Sequence, residues 1–136
     1  MNRTISRSTD HLWQDLNGRL FGRPTVSVII PALNEAESLP HVLPRIPDEW
    51  VDEVILVDGY SHDDTIEVAC SLCPKTRIVL QQGRGKGAAI RSDFIAATGD
   101  IVITMDADGS TDPQEIPVFI GTLVSGADFA KGSRFL

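Results

Sequence analysis

The sequence predicts an α/β domain built on a mainly parallel sheet with helices on both faces, the architecture of a Rossmann-like fold. Three observations carry that expectation. Short apolar, β-branched runs alternate four times with segments of helical spacing, the pattern of a parallel sheet wound through helical crossovers. The runs are apolar at successive positions, as in strands buried on both faces. A polar cluster follows each of the four runs, so all four clusters fall at strand C-termini, the edge that carries the ligand crevice of an open α/β sheet.

Each element follows in order. Residues 1–24 are polar and without a clear period; they read as an N-terminal extension with a short helix at residues 11–20. Residues 26–30 form the first strand, ended by Pro31. Residues 37–46 place Leu39, Val42, Leu43 and Ile46 at helical spacing, but Pro40 and Pro44 make that helix short or broken. Residues 54–57 are the second strand, 64–72 the second helix and 77–80 a third strand. Residues 87–97 are a third helix that Gly99 stops, and 101–105 a fourth strand. Asp112, Pro113 and Glu115 open the next helix as a cap, a first-turn proline and a capping-box acid. Gly126 ends that helix, and residues 128–131 start a fifth strand.

Length and charge narrow the function. A chain of 136 residues, 42% hydrophobic and 23% charged, suits one soluble domain with its own core. A net charge of −7 excludes a non-specific nucleic-acid binder, which needs a basic face to displace counterions. It leaves room for a nucleotide, because a bound cation offsets diphosphate charge. No apolar run approaches the roughly 18–20 residues of a membrane span, and the first residues lack a signal-peptide core. The cytoplasm is the expected compartment. Cys70 and Cys73 form a single C-x-x-C at a helix end without further ligands, and read as small apolar residues.

The four clusters carry the chemistry. Asp106 and Asp108 leave a strand two residues apart, and two such carboxylates converge on one hard cation, Mg2+ or Mn2+, with positions left for phosphate oxygens. Gly109 allows the chain to turn sharply behind them. Gly83, Gly85 and Gly87 surround Arg84 and Lys86 ahead of a helix, an arrangement suited to an anion but lacking Walker A spacing. Asp58 ends the second strand as an acceptor for a base N–H or a ribose hydroxyl. Ser61, Asp63 and Asp64 read as caps of the following helix. Glu35 suits either a helix first turn or a ligand. Arg134 gains meaning only beside a metal diphosphate.

These segments resemble a known family. VSVIIPALNE (26–35) resembles the opening of family 2 glycosyltransferases of the GT-A fold. VDGYSHDDT (57–65) is similar to that family's V-D-D/G-x-S-x-D-G-T segment, and GRGKG (83–87) with ATGD (97–100) to its loop, helix and A-x-G-D strand entry. DAD (106–108) resembles its D-x-D, and GSRF (132–135) an element of the dolichol-phosphate mannosyltransferase-like branch. The resemblance spans about residues 25–136. It implies inverting transfer of a sugar from a nucleotide-diphosphate sugar, with Mg2+ or Mn2+. It implies that Pro31, Leu33 and Glu35 line the base, that Asp58 meets base or ribose, and that Lys86 lies near the nucleotide. Asp106 and Asp108 then hold metal and diphosphate, Ala107 contributes backbone, and Arg134 lies near the donor phosphates. It names no catalytic base.

Leu33 departs from the branch's aromatic and Gly59 from its second Asp, which leaves the base open. Family members normally continue past the arginine, so residues 25–136 read as a nucleotide-sugar-binding domain truncated at its C-terminal end. A polyprenyl phosphate acceptor at the inner membrane surface, already ionised, fits a chain without an assigned base.

Two other readings compete. IVITMDADGS (101–110) also resembles the signature of haloacid-dehalogenase-type phosphatases, with Asp106 as nucleophile and Asp108 as general acid–base. That fold carries the motif on its first strand, whereas three βα units precede it here. A catalytically incomplete nucleotide-binding fragment is the non-enzymatic alternative.

Overall fold

The computed structural model describes residues 12–14, 20–22, 24–82 and 97–124. The expected helix over 87–97, the fifth strand from 128 and the 83–87 loop lie outside the described residues, apart from Ala97.

Four strands form one parallel sheet: β3 (Val26–Ala32), β4 (Glu53–Asp58), β5 (Arg77–Leu80) and β6 (Ile101–Thr104), in the order β5-β4-β3-β6. β3 and β4 are apolar and largely β-branched, which suits a pleated surface packed on both sides. Alternate residues of β3 face opposite ways. Val26, Val28, Ile30 and Ala32 join Val54, Leu56 and Ile103 in the larger core, while Ile29, Ile55 and Val57 form a second cluster with Val79, Ala97 and Val102.

The described helical elements all pack on the larger core. Where a helix was expected over 37–46, two 3-10 turns stand instead, Leu39–His41 and Leu43–Arg45, each with a proline in its first turn. Proline lacks the N–H that an α-helix interior needs and tolerates only the first positions. The turns still bury Leu39 and Leu43. Helix α1 (Thr65–Leu72) adds Ala69, and helix α2 (Ile116–Val124) adds Ile116 and Ile120. The 3-10 turn Pro113–Glu115 leads into α2, and the Asp112 side chain caps it by accepting from the Gln114 N–H. Arg45 donates to Asp112 at 3.0 Å, and the Gln114 amide donates to the Arg45 carbonyl, so the start of α2 is tied to the second turn.

The N-terminal extension differs from expectation. Residues 12–14 and 20–22 are not helical; β1 (Leu12–Gln14) pairs antiparallel with β2 (Leu20–Gly22). A helix this short is marginal by itself, while Trp and Phe are favoured in strands. Pairing across the intervening residues outweighs the weak local preference.

The N-terminal edge of the sheet is closed by hydrogen bonds. Glu53 Oε1 accepts from Ser27 Oγ at 2.7 Å and from Thr98 N and Oγ1 at 3.1 and 3.0 Å, and Glu53 Oε2 lies 3.5 Å from Arg77. Ser27 Oγ in turn accepts from Gly99 N. A Cβ on Gly99 would stand 2.7 Å from Ser27 N and Oγ, so only glycine allows β6 to enter beside β3. Thr25 and Asp100 exchange backbone-to-side-chain bonds at the same edge.

Burial pushes the Glu53 carboxyl up, but the bonds from Ser27 and Thr98 and the charge of Arg77 outweigh it and hold the group below the ordinary glutamate range. Its stabilisation is therefore present above that range and is lost as pH falls through the depressed folded value. Urea midpoints followed from about pH 7 to about pH 3 will show a shallower acid limb in Glu53→Gln than in the native chain. Superimposable limbs would refute the assignment.

Candidate functional site

The C-terminal edge of the same sheet gathers the expected residues. Ala32, Asp58 and Leu80 are in register across β3, β4 and β5. Ile29 pairs with Thr104, so two residues further on Asp106 comes level with Pro31. Adjacent strands lie about 4.8 Å apart; Asp58 and Asp106, two strands apart, are thus separated laterally by about 10 Å.

The D-x-D turn presents its acids outward. Ala107 is buried, whereas Asp106 and Asp108 on either side are exposed. The Asp106 carboxylate has no hydrogen-bond partner among the described residues. Ser110 N donates to Asp108 Oδ1 at 2.9 Å and orients it. Gly109 takes φ +84°, open to glycine at no steric cost, with no atom near a built Cβ. Hard oxygen donors at a rim fit Mg2+ or Mn2+. No group of three His, Cys, Asp or Glu side chains converges among the described residues.

Asp112, considered as a base, is engaged otherwise: the Gln114 backbone N–H and the Arg45 side chain hold its carboxyl below the ordinary aspartate range.

On the β4 side, two loops are hydrogen-bonded into one body. Asp58 is buried, and its two oxygens accept from Ser61 N at 2.9 Å and Ser61 Oγ at 2.6 Å. Ser61 Oγ accepts from Asn34 N, and Asn34 Oδ1 accepts from His62 N at 2.7 Å. Glu35 N donates to Thr65 Oγ1, which donates to Asp63 Oδ1; Asp63 Oδ2 accepts from Ala36 N. The loop after β3 is thereby stitched to the loop after β4.

This corrects the capping role expected of Ser61 and Asp64, and adds a second role to that of Asp63. Asp64 is the N-cap of α1 but makes no side-chain cap bond, and Ser61 makes none to α1. Asp63 does accept from Thr65 N, yet its other oxygen reaches across to Ala36. The loop after β3 offered these oxygens donors that the local sequence does not reveal. Glu35, left between helix acid and ligand contact, makes no side-chain cap among the described residues; its backbone carbonyl accepts from Ser38 N and Leu39 N.

The junction sets two residues left-handed, Asn34 at φ 55° and Tyr60 at φ 67°. Asparagine tolerates that region; for a bulky residue it costs about 1–2 kcal/mol. Leu33 is 56% and Tyr60 60% exposed, so each loop carries one large side chain into solvent. Pro31 is half-buried. Lys86 and Arg134 lie outside the described residues. The left-handed angle of Tyr60 is not legible in its residue type, whereas asparagine at position 34 carries a faint sign of one.

The geometry can now be set beside known proteins. The model of the family described as glycosyl transferase family 2 matches residues 27–136. An uncharacterized glycosyltransferase of Mycobacterium bovis is 40% identical over 109 residues, covering 80% of this chain and 48% of that protein. A dolichol-phosphate mannosyltransferase of Pyrococcus furiosus is 38% identical over 117 residues, covering 82% of this chain and 33% of that one. The solved glucosyl-3-phosphoglycerate synthase of Mycobacterium tuberculosis, in complex with Mn2+, UDP and glucosyl-3-phosphoglycerate, superimposes with a TM-score of 0.66 at 32% identity, over 76% of this chain and 40% of that one. The chain thus spans a third to a half of the length of these relatives. None of these matches supports the phosphatase reading of the D-x-D segment.

Ser61→Ala removes a donor from buried Asp58 and the acceptor of Asn34 N together. It will lower unfolding free energy by about 1–3 kcal/mol in urea denaturation, the cost of leaving such groups unpaired. Ser61→Thr, which keeps the hydroxyl, will recover most of it; an unchanged alanine variant would show that the loops are held by something else.

Proposed function

This chain belongs to glycosyl transferase family 2, and from that we propose that residues 25–136 are the nucleotide-sugar-binding domain of an inverting glycosyltransferase. The observation that carries the reading is the D-x-D turn. Two exposed carboxylates flank a buried alanine at the strand edge that also ends in Asp58. The GT-A likeness to a solved synthase that holds Mn2+ and UDP supports the same reading.

In this proposal Asp106 and Asp108 hold Mg2+ or Mn2+, with the Ala107 backbone beside the donor. When bound, the cation neutralises the charge that develops on the leaving diphosphate. Lys86 and Arg134 add positive charge to the same end. Pro31, Leu33 and Glu35 flank the base. Each Asp58 oxygen accepts one bond from Ser61 and retains capacity for a second, from the nucleoside. The domain orients the donor and balances its charge.

Thermal shift with UDP or GDP tests this directly. Ligand at about a hundredfold over Kd stabilises by ~2.7 kcal/mol. With Mn2+ or Mg2+ the native chain will show such a shift, and Asp108→Ala will lose its metal-dependent part. A variant that keeps the full metal-dependent shift would overturn the assignment.

The acceptor reading is finer. We propose a polyprenyl phosphate met at the membrane surface, the protein itself being peripheral. An ionised phosphate attacks without a positioned base, and among the described residues after Asp108 the Asp112 carboxylate is already engaged. The likeness to a dolichol-phosphate mannosyltransferase favours this acceptor. No helix among the described residues is long and apolar enough to cross a membrane. Radiolabelled donor incubated with membrane extract will yield product that partitions into organic solvent. Label appearing only in water-soluble glycoside would reject the lipid acceptor.

A further inference from the structure

We propose that Tyr60 is the aromatic face of the nucleobase subsite, an affinity-determining residue that the sequence motifs do not mark. The inference deepens the nucleotide-binding reading above and rests on it. Tyr60 adopts φ 67° with 60% of its surface exposed. Glycine would satisfy the same turn without steric cost. The ring gains little from packing, since most of it faces solvent. A strained backbone that carries an exposed aromatic at a ligand edge points to function.

Its position supplies the second argument. Tyr60 stands between Gly59 and Ser61. A Cβ built on Gly59 would lie 3.8 Å from Leu33 Cβ, and Ser61 Oγ accepts from Asn34 N. The backbone on both sides of Tyr60 is therefore held against the loop that carries exposed Leu33. Asp58, two residues earlier, and Glu35, two residues beyond Leu33, place acceptors at the same edge. A flat ligand with apolar faces and N–H or O–H groups on its rim matches that set, and a nucleoside is such a ligand. Aromatic stacking on a base tolerates either purine or pyrimidine, so the ring adds affinity for both.

Tyr60 is the sole tyrosine of the chain, so ring-labelled protein gives a single tyrosine NMR spin system. Titration of the full chain with UDP or GDP and Mg2+ will move those ring resonances upfield. Uridine or guanosine alone will move them the same way, and inorganic pyrophosphate with Mg2+ will not. Tyr60→Phe will bind within about twofold of native, whereas Tyr60→Ala and Tyr60→Gly will bind nucleoside and diphosphate about tenfold more weakly. Tyr60→Gly will also melt higher than native, since it relieves the left-handed strain, which separates lost binding from lost folding.

Native-like affinity in Tyr60→Gly, or ring resonances that stay still at saturating nucleotide, overturns the Tyr60 role alone. A native chain that binds neither UDP nor GDP overturns the nucleotide-binding reading, and this inference with it.

Discussion

The buried carboxylate of Asp58 is the constraint on which the ligand edge depends. It ends β4 inside the sheet, where an acceptor without donors would cost several kcal/mol. Ser61 supplies both donors by folding back over three residues. That return fixes the course of residues 59–61. Because Ser61 Oγ also accepts from Asn34, it fixes the loop after β3 as well. The conformation of two loops thus follows from satisfying one buried group.

The two ends of the sheet divide the work of the domain. At the N-terminal end, Glu53, Ser27, Thr98, Thr25 and Asp100 satisfy one another, and Gly99 permits the close approach of β6. At the C-terminal end, the groups of the D-x-D turn face outward, and Asp106 has no partner among the described residues. The C-terminal end is thus a polar rim with a satisfied half around Asp58 and an exposed half at the D-x-D turn. The rigid loop junction on the β4 side and the glycine turn after β6 hold the two halves of that rim about two strand spacings apart. In the proposed reading, one end of that rim takes the base of a nucleotide-diphosphate sugar and the other its charge.

How much was legible in advance can be read from individual residues. The β-branched runs at 26–30, 54–57, 77–80 and 101–105 announced the strands, although only the inner pair β3 and β4 is buried on both faces and the outer β5 leaves Arg77 and Leu80 exposed. Pro40 and Pro44 announced a broken helix, because proline acts on its own turn wherever it is placed. Asp106 and Asp108 were legible as a pair because their spacing is local. The helix expected at 11–20 failed for the opposite reason: the partner that made residues 12–14 and 20–22 strands lay along the chain, in pairing rather than in propensity.

The sequence by itself therefore determined the class of sheet, its strands, the edge where chemistry gathers and the family whose motifs it carries. Only the tertiary structure decided the strand order with β3 inside, the use of Ser61 and Asp63 as links between loops and the left-handed turn that lifts Tyr60 into solvent. The physical reason is range. Hydrophobic period and turn chemistry act over a few residues and are written in residue types. Ser61 and Asn34 meet across 27 positions, and their bond exists only after parallel pairing has brought two strand ends side by side.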